Sequence, residues 1–245
     1  MNKPKLIVAL DVETFEQAKD LIDQLDDAVD IFKIGSQLFT AYGPFVTRYL
    51  QAKGKKVFLD LKFHDIPNTV ANAVKSAVSL SVAPGHEKKF SPLYMLTVHT
   101  SGGQEMLEAA VKAAQEHSKK LKVKAPLIVG VTVLTSQVKE DKLQALVLER
   151  ALMAKRAGLD GVVASVEEAP FIRRYCPKNF IIVTPGIRPL GADVGDQKRV
   201  STPRGAIEAG SNYLVVGRPI VQAPNPLKSA LSILKEISKS AWAGT

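Results

Sequence analysis

The chain has 245 residues, 46% hydrophobic and 23% charged, with 33 Lys and Arg against 24 Asp and Glu, for a net charge of +9. That balance excludes a disordered or fibrous chain, and the length suits one large domain or two small ones with a sizeable core. No apolar run approaches the roughly 18–20 residues of a membrane helix, which excludes an α-helical membrane protein.

The opening "MNKPKLIVALDVET" does not read as a secretory leader, because its apolar run lasts only about six residues before Asp11 ends it. The expected location is the cytoplasm. The single cysteine, Cys176 in "RRYCPK", can form no internal disulfide and reads as a structural residue at a helix end. The positive charge suits nucleic acid, a membrane surface or an anionic small molecule. The basic residues are scattered, as in "VKAAQEHSKKLKVK", with no interleaved aromatics. Neither nucleic acid nor membrane is therefore the expected partner, and a phosphate-bearing metabolite would draw on the same field.

The elements alternate along the chain. "KLIVAL" (5–10) predicts a strand and "TFEQAKDLIDQL" a helix. "DIFKIG" (30–35) is the second strand, followed by the helical "GPFVTRYLQAKG". "KVFLDL" (56–61) and "YMLTVH" (94–99) come next, with "TVANAVKSAVSL" between them and "EMLEAAVKAAQEH" after. "PLIVGVTVL" (126–134), "DGVVAS" (160–165), "FIIVTPG" (180–186) and "NYLVVG" (212–217) complete the strands. "LVLERALMAKRAG", "PRGAIEAG" and the final "NPLKSALSILKEISKS" are helical. The strands are apolar on both faces, as in a buried parallel sheet. Gly54, Gly158 and Gly210 close helices ahead of the next strand. Eight strand–helix units in this length predict a (β/α)8 TIM barrel. The alternative is a doubly wound open sheet, but "ALDVETFEQ" lacks the glycines of its first turn. No linker or repeat divides the chain, so residues 1–245 are expected to form one catalytic domain.

Catalytic groups of such a barrel sit where strands end. Strand one ends at Asp11, strand two carries Lys33, and strand three ends in Asp60 and Lys62. Positions i and i+2 face the same side of a strand, so Asp60 and Lys62 share a space that Lys33 reaches from next door. Singly, Asp11 reads equally as a helix cap and Lys33 as a snorkelling side chain. Together, two lysines and two carboxylates at one mouth are costly to bury unless paired, which favours a functional cluster over a structural ion network. In "DIPNT", Asp65 or Thr69 reads as a helix cap beside Pro67. "VTPGIRP" and "LVVGRPI" end strands seven and eight, where such barrels hold phosphate; Gly217 permits close approach and Arg218 supplies a fixed donor fork. Arg188 and Gln197 lie on the long connection between these strands. His64, His86, His99 and His117 show no metal-ligand spacing, and His99 reads as a packed or supporting residue.

The pieces "VALD", "FKIG", "DLKFHDIPNTV", "GVTVLTS", "GLDGVVAS", "VTPGIRP", "GDQKRV" and "VVGRPI" resemble the bacterial type of orotidine 5′-phosphate decarboxylase, from one end of the chain to the other. "DLKFHDIPNTV" is the specific piece; Asp-x-Lys-x-x-Asp alone is shared with related sugar-phosphate barrels. The resemblance implies a homodimer that converts orotidine 5′-monophosphate to UMP without metal or organic cofactor. It implies Lys62 as proton donor in a network of Lys33, Asp60, Lys62 and Asp65, with Asp65 and Thr69 reaching the partner's site. It further implies Asp11 and Lys33 at the ribose, Thr135 at the pyrimidine, and Arg188, Gln197, Gly217 and Arg218 at the phosphate. Two segments depart from the pattern: "SLSVAPGHEKKFSPLYMLTVH" is longer than expected, and the stretch after "VLTS", over 136–150, is shorter. The competing readings are a sister barrel that uses Mg²⁺ and a phosphate-ligand barrel that has lost catalysis.

Overall fold

A computed structural model describes residues 5–82, 90–134, 143–189 and 201–241. Eight parallel strands close into a barrel in sequence order, with β1 paired to both β2 and β8. The strands are β1 (Lys5–Ala9), β2 (Ile31–Gly35), β3 (Lys56–Phe63), β4 (Met95–His99), β5 (Leu127–Val131), β6 (Gly161–Val163), β7 (Ile181–Thr184) and β8 (Tyr213–Val216). Each begins within one residue of its predicted start. The ends differ more, because there the chain leaves the ladder to build loops.

The period of two sorts these strands into two cores. Ile7, Ala9, Ile31, Phe58, Met95, Val129, Val183, Tyr213 and Val215 pack inside the barrel. Their neighbours Val8, Phe32, Leu59, Leu96, Ile128, Val162, Ile182 and Leu214 pack outward against the helices. Both faces are covered, which explains the continuous apolar runs. The inward phase continues to Asp11 after Ala9, Lys33 after Ile31, Asp60 after Phe58 and Thr97 after Met95. At the opposite end of the barrel, the Tyr94 and Tyr213 hydroxyls lie 2.6 Å apart.

The helices are α1 (Phe15–Gln24), α2 (Ser36–Tyr42), α3 (Pro44–Ala52), α4 (Pro67–Ser79), α5 (Gly103–Leu121), α6 (Leu143–Arg156), α7 (Ala169–Tyr175), α8 (Pro203–Glu208), α9 (Arg218–Val221) and α10 (Pro226–Ala241). The sequence reading did not single out α2, α7 and α9, whose two turns or fewer are too short to display a period. Thr14 caps α1 through a capping box: its hydroxyl accepts from Gln17 N–H at 3.2 Å, and the Gln17 side chain accepts from Thr14 N–H at 3.2 Å. Asp11 is therefore not the cap. Gly54, Gly158 and Gly210 take φ of 75°, 82° and 102°, the left-handed turn expected where a helix hands over to a strand. Cys176 is buried, and burial pushes its thiol above the ordinary value.

No helix among the described residues is long and apolar enough to cross a membrane. Of the two departing segments, residues 83–89 and 135–142 lie outside the described residues. The first is bracketed by Ser81, whose carbonyl accepts from Phe90 N–H at 3.0 Å and whose hydroxyl accepts from Leu93 N–H at 3.0 Å.

Gly161 pairs with Ile181 across β6 and β7, and a Cβ placed on it would stand 2.1 Å from the Ile181 carbonyl oxygen. Paired strand backbone cannot yield cheaply. Gly161→Ala is expected to cost about 1–3 kcal/mol, seen as a lower urea midpoint at unchanged m-value. An unchanged midpoint would refute this close approach.

Candidate active site

At the C-terminal mouth, four side chains form a chain of alternating charge. Lys33 Nζ lies 2.9 Å from Asp11 Oδ1 and 3.7 Å from Asp60 Oδ2. Asp60 Oδ2 in turn lies 3.0 Å from Lys62 Nζ. The middle pair is the more enclosed: the Lys33 and Asp60 side chains are 10% and 13% exposed, against 54% for Asp11 and 37% for Lys62. Such burial is tolerable only because each inner charge has an opposite neighbour. Gly35 makes room for the first pair, since a Cβ there would sit 3.1 Å from both Asp11 Oδ1 and Lys33 Nζ.

Asp60 and Lys62 meet, but not through the simple strand period. Leu59 pairs with Leu96 and Phe63 with Val98, so β3 spends four steps where β4 spends two. Within this bulge Lys62 adopts φ of 52°, an uncommon conformation for a residue with a Cβ. Thr97 braces the bulge. Its hydroxyl donates to Asp60 Oδ1 at 3.0 Å and accepts from Lys62 N–H at 2.8 Å. Thr97 was missed in the sequence, although it is a polar residue at an inward position of an apolar strand.

The cluster forms one side of a cavity of about 500 Å³. Arg188, Gly217 and Arg218 also line it, with Gly217 next to the cluster, where a Cβ would stand 3.8 Å from Asp11 Oδ2, and Val131, Val163 and Val183 supply apolar wall. Arg188 is buried, its Nη1 donates to the Ile187 carbonyl at 3.0 Å, and its N–H donates to the Ser201 carbonyl at 2.9 Å. Gln222, unnoticed in the sequence, also lines this rim.

Asp65 and Thr69 do not join the cavity of their own chain; both are exposed. Neither acts as the N-cap of α4: that residue is Ile66, with no side-chain cap bond, and Asp65 Oδ1 instead accepts from Ile66 N–H at 2.7 Å. Thr135 and Gln197 lie outside the described residues. No group of three or more His, Cys, Asp or Glu among the described residues could hold a metal ion.

His99 stands behind the cluster rather than in the cavity wall. Its ring stacks on His64, with centroids 5.4 Å apart, and its Nδ1 accepts from Ser101 N–H at 3.3 Å. The neutral ring therefore carries its proton on Nε2. Burial holds its pKa below the ordinary 6.5, reinforced by charge on His64, Arg150 and Lys62. The unfolded chain then binds this proton first, so the contribution is nil well above pH 6.5 and destabilises the fold as pH falls through that value. The His99 ring is expected to titrate below 6.5 by NMR, and His64→Ala to move its midpoint upward. A midpoint at or above 6.5 in the native protein would contradict this environment.

Comparison with known proteins identifies the family. The sequence model described as orotidine 5′-phosphate decarboxylase / HUMPS family matches residues 4–233. An orotidine 5′-phosphate decarboxylase of Moorella thermoacetica is 46% identical over 96% of this chain and 92% of its own length. One of Pasteurella multocida is 47% identical over 96% of this chain and 97% of its own. The crystal structure of orotidine 5′-phosphate decarboxylase from Lactobacillus acidophilus superposes with a TM-score of 0.80 at 35% identity, covering 96% of this chain and 99% of that one. With its barrel, its alternating Asp–Lys cluster and a family match over nearly its whole length, the chain belongs to the orotidine 5′-phosphate decarboxylase / HUMPS family.

Proposed function

We propose that this protein decarboxylates orotidine 5′-monophosphate to UMP, in pyrimidine nucleotide synthesis. The observation that carries the reading is the Asp11–Lys33–Asp60–Lys62 chain lining one cavity together with Arg188 and Arg218. A substrate with a reacting ring and a phosphate matches a cavity that joins an Asp–Lys chain to two arginines.

Loss of CO2 from C6 leaves an electron pair on the pyrimidine carbon. In the proposed mechanism the Lys62 ammonium stands beside C6, stabilises that charge as it develops, and then delivers a proton to it. The Asp60 carboxylate faces the departing carboxylate, and their repulsion favours release. Asp11 and Lys33 hold the ribose hydroxyls. Arg188, Gly217 and Arg218 hold the phosphate, with Gln197 assigned to the same end and Thr135 to the pyrimidine. Binding energy gathered at the phosphate, remote from C6, is available to position the ring for reaction. This chemistry calls for no metal or organic cofactor.

The protein acts in this proposal as a cytoplasmic homodimer of single-domain chains, with neither nucleic acid nor membrane as partner. Asp65 and Thr69 point away from their own cavity and are assigned to the partner's. Their exposure, together with Ile66 at 66%, supports an apolar and acidic surface awaiting a second copy.

EDTA-treated protein is expected to bleach the orotate chromophore of orotidine 5′-monophosphate, and a strict Mg²⁺ requirement would favour a sister barrel instead. Lys62→Ala is expected to keep nucleotide binding and lose turnover by orders of magnitude. Near-native turnover would remove Lys62 from the proton-donor role. For the shared site, Lys62→Ala and Asp65→Ala chains are mixed after unfolding. Random pairing leaves about a quarter of sites fully native, and activity should recover to about that level. No recovery would place Asp65 outside the partner's site.

A further inference from the structure

We propose that Thr97 is a positioning residue that fixes both Asp60 and Lys62 for catalysis, an inference that rests on the decarboxylase reading above. A hydroxyl carries one proton to donate and lone pairs to accept. Thr97 spends both on the reactive pair: it donates to Asp60 Oδ1 at 3.0 Å and accepts from Lys62 N–H at 2.8 Å. It does so from a fully buried position, where water cannot take over either bond.

The location of the bond matters as much as its existence. The β3 bulge between Leu59 and Phe63 takes Lys62 out of the ladder, so its N–H loses the regular strand partner. Thr97 lies on β4 between Leu96 and Val98, the two residues that resume pairing on either side of the bulge. Its hydroxyl replaces the missing partner and holds Lys62 at φ of 52°. The same hydroxyl engages one oxygen of Asp60, which sets the plane of the carboxylate. The other oxygen, Oδ2, is thereby turned toward Lys62 at 3.0 Å and Lys33 at 3.7 Å. One side chain thus determines where the lysine backbone sits and which way its carboxylate partner faces. Thr97 touches no reacting atom; it acts through those two.

The test uses Thr97→Val, which keeps the shape and removes both bonds, and Thr97→Ser, which keeps the hydroxyl. In Thr97→Val, kcat is expected to fall roughly 10–100-fold, as displacements of about 1 Å do, while KM and UMP affinity stay within about 3-fold. Thr97→Ser is expected to recover kcat to within about 5-fold of the native value. Should Thr97→Val fail to fold, Thr97→Cys takes its place, because a thiol donates and accepts only weakly. Three results would overturn the proposal: kcat unimpaired in Thr97→Val, KM and UMP affinity lost in step with kcat, or Thr97→Ser as damaged as Thr97→Val. A native protein without turnover would overturn the decarboxylase reading and this inference together, whereas an active native protein with an unimpaired Thr97→Val overturns the role of Thr97 alone.

Discussion

Asp60 sits between two ammonium groups, and the rest of the mouth is arranged around that contact. Its Oδ2 lies 3.0 Å from Lys62 and 3.7 Å from Lys33, in a setting where its side chain is only 13% exposed. A carboxylate removed this far from water needs fixed partners, and an ammonium removed as far as Lys33 needs them equally. The barrel supplies them from three adjacent strands. Asp11 follows β1, Lys33 belongs to β2, and Asp60 to β3, so hydrogen-bonded neighbours carry charges of opposite sign.

The strand period made much of this legible before any coordinates. Ile7, Ala9 and Asp11 share one phase, as do Ile31 with Lys33 and Phe58 with Asp60, so the inward charges follow from counting by two. Lys62 obeys that count only by accident. Its contact with Asp60 is made inside a bulge, and bulges depend on the register between two strands that neither sequence stretch declares. Thr97 was overlooked for a related reason. A threonine in a strand is ordinary, and only the partner strand's bulge gives its hydroxyl two tasks. Asp11 illustrates the reverse: it read equally as a cap, and the cap is Thr14. Asp65 and Thr69 were least legible, because their proposed target is a second chain.

The two sets of cavity residues are built differently. Lys33 lies on β2, Asp60 and Lys62 on a stretch of β3 whose bulge is pinned by a buried hydroxyl, and Asp11 just past β1, so the cluster's geometry is set mostly by the sheet. The arginines rest on connections: Arg188 follows β7 beyond Gly186, which takes φ of 76°, and Gly217 and Arg218 follow β8 at the entry to a four-residue helix. Under the proposed reaction, groups that meet a developing charge at a fixed distance would gain from the strand support. Groups that bind an end of the substrate remote from reaction would tolerate the less regular one, and connections between strands are where a ligand can be enclosed.

The backbone of Lys62 is held in the left-handed region, at φ of 52°. A residue with a Cβ in the left-handed region costs energy and persists only where its surroundings over-determine it. Here the determinants are the Thr97 bond, the resumption of pairing at Phe63, and the ion pair to Asp60. A regular strand would also turn Lys62 to the face of Asp60, two positions on, but would carry it along at the pace of the ladder. The bulge instead holds Lys62 over the same mouth as Asp60 while β3 continues to Phe63 and on into α4. The strained residue is therefore the one whose side chain stands beside Asp60 in the mouth, held there by the bulge and by the Thr97 hydroxyl.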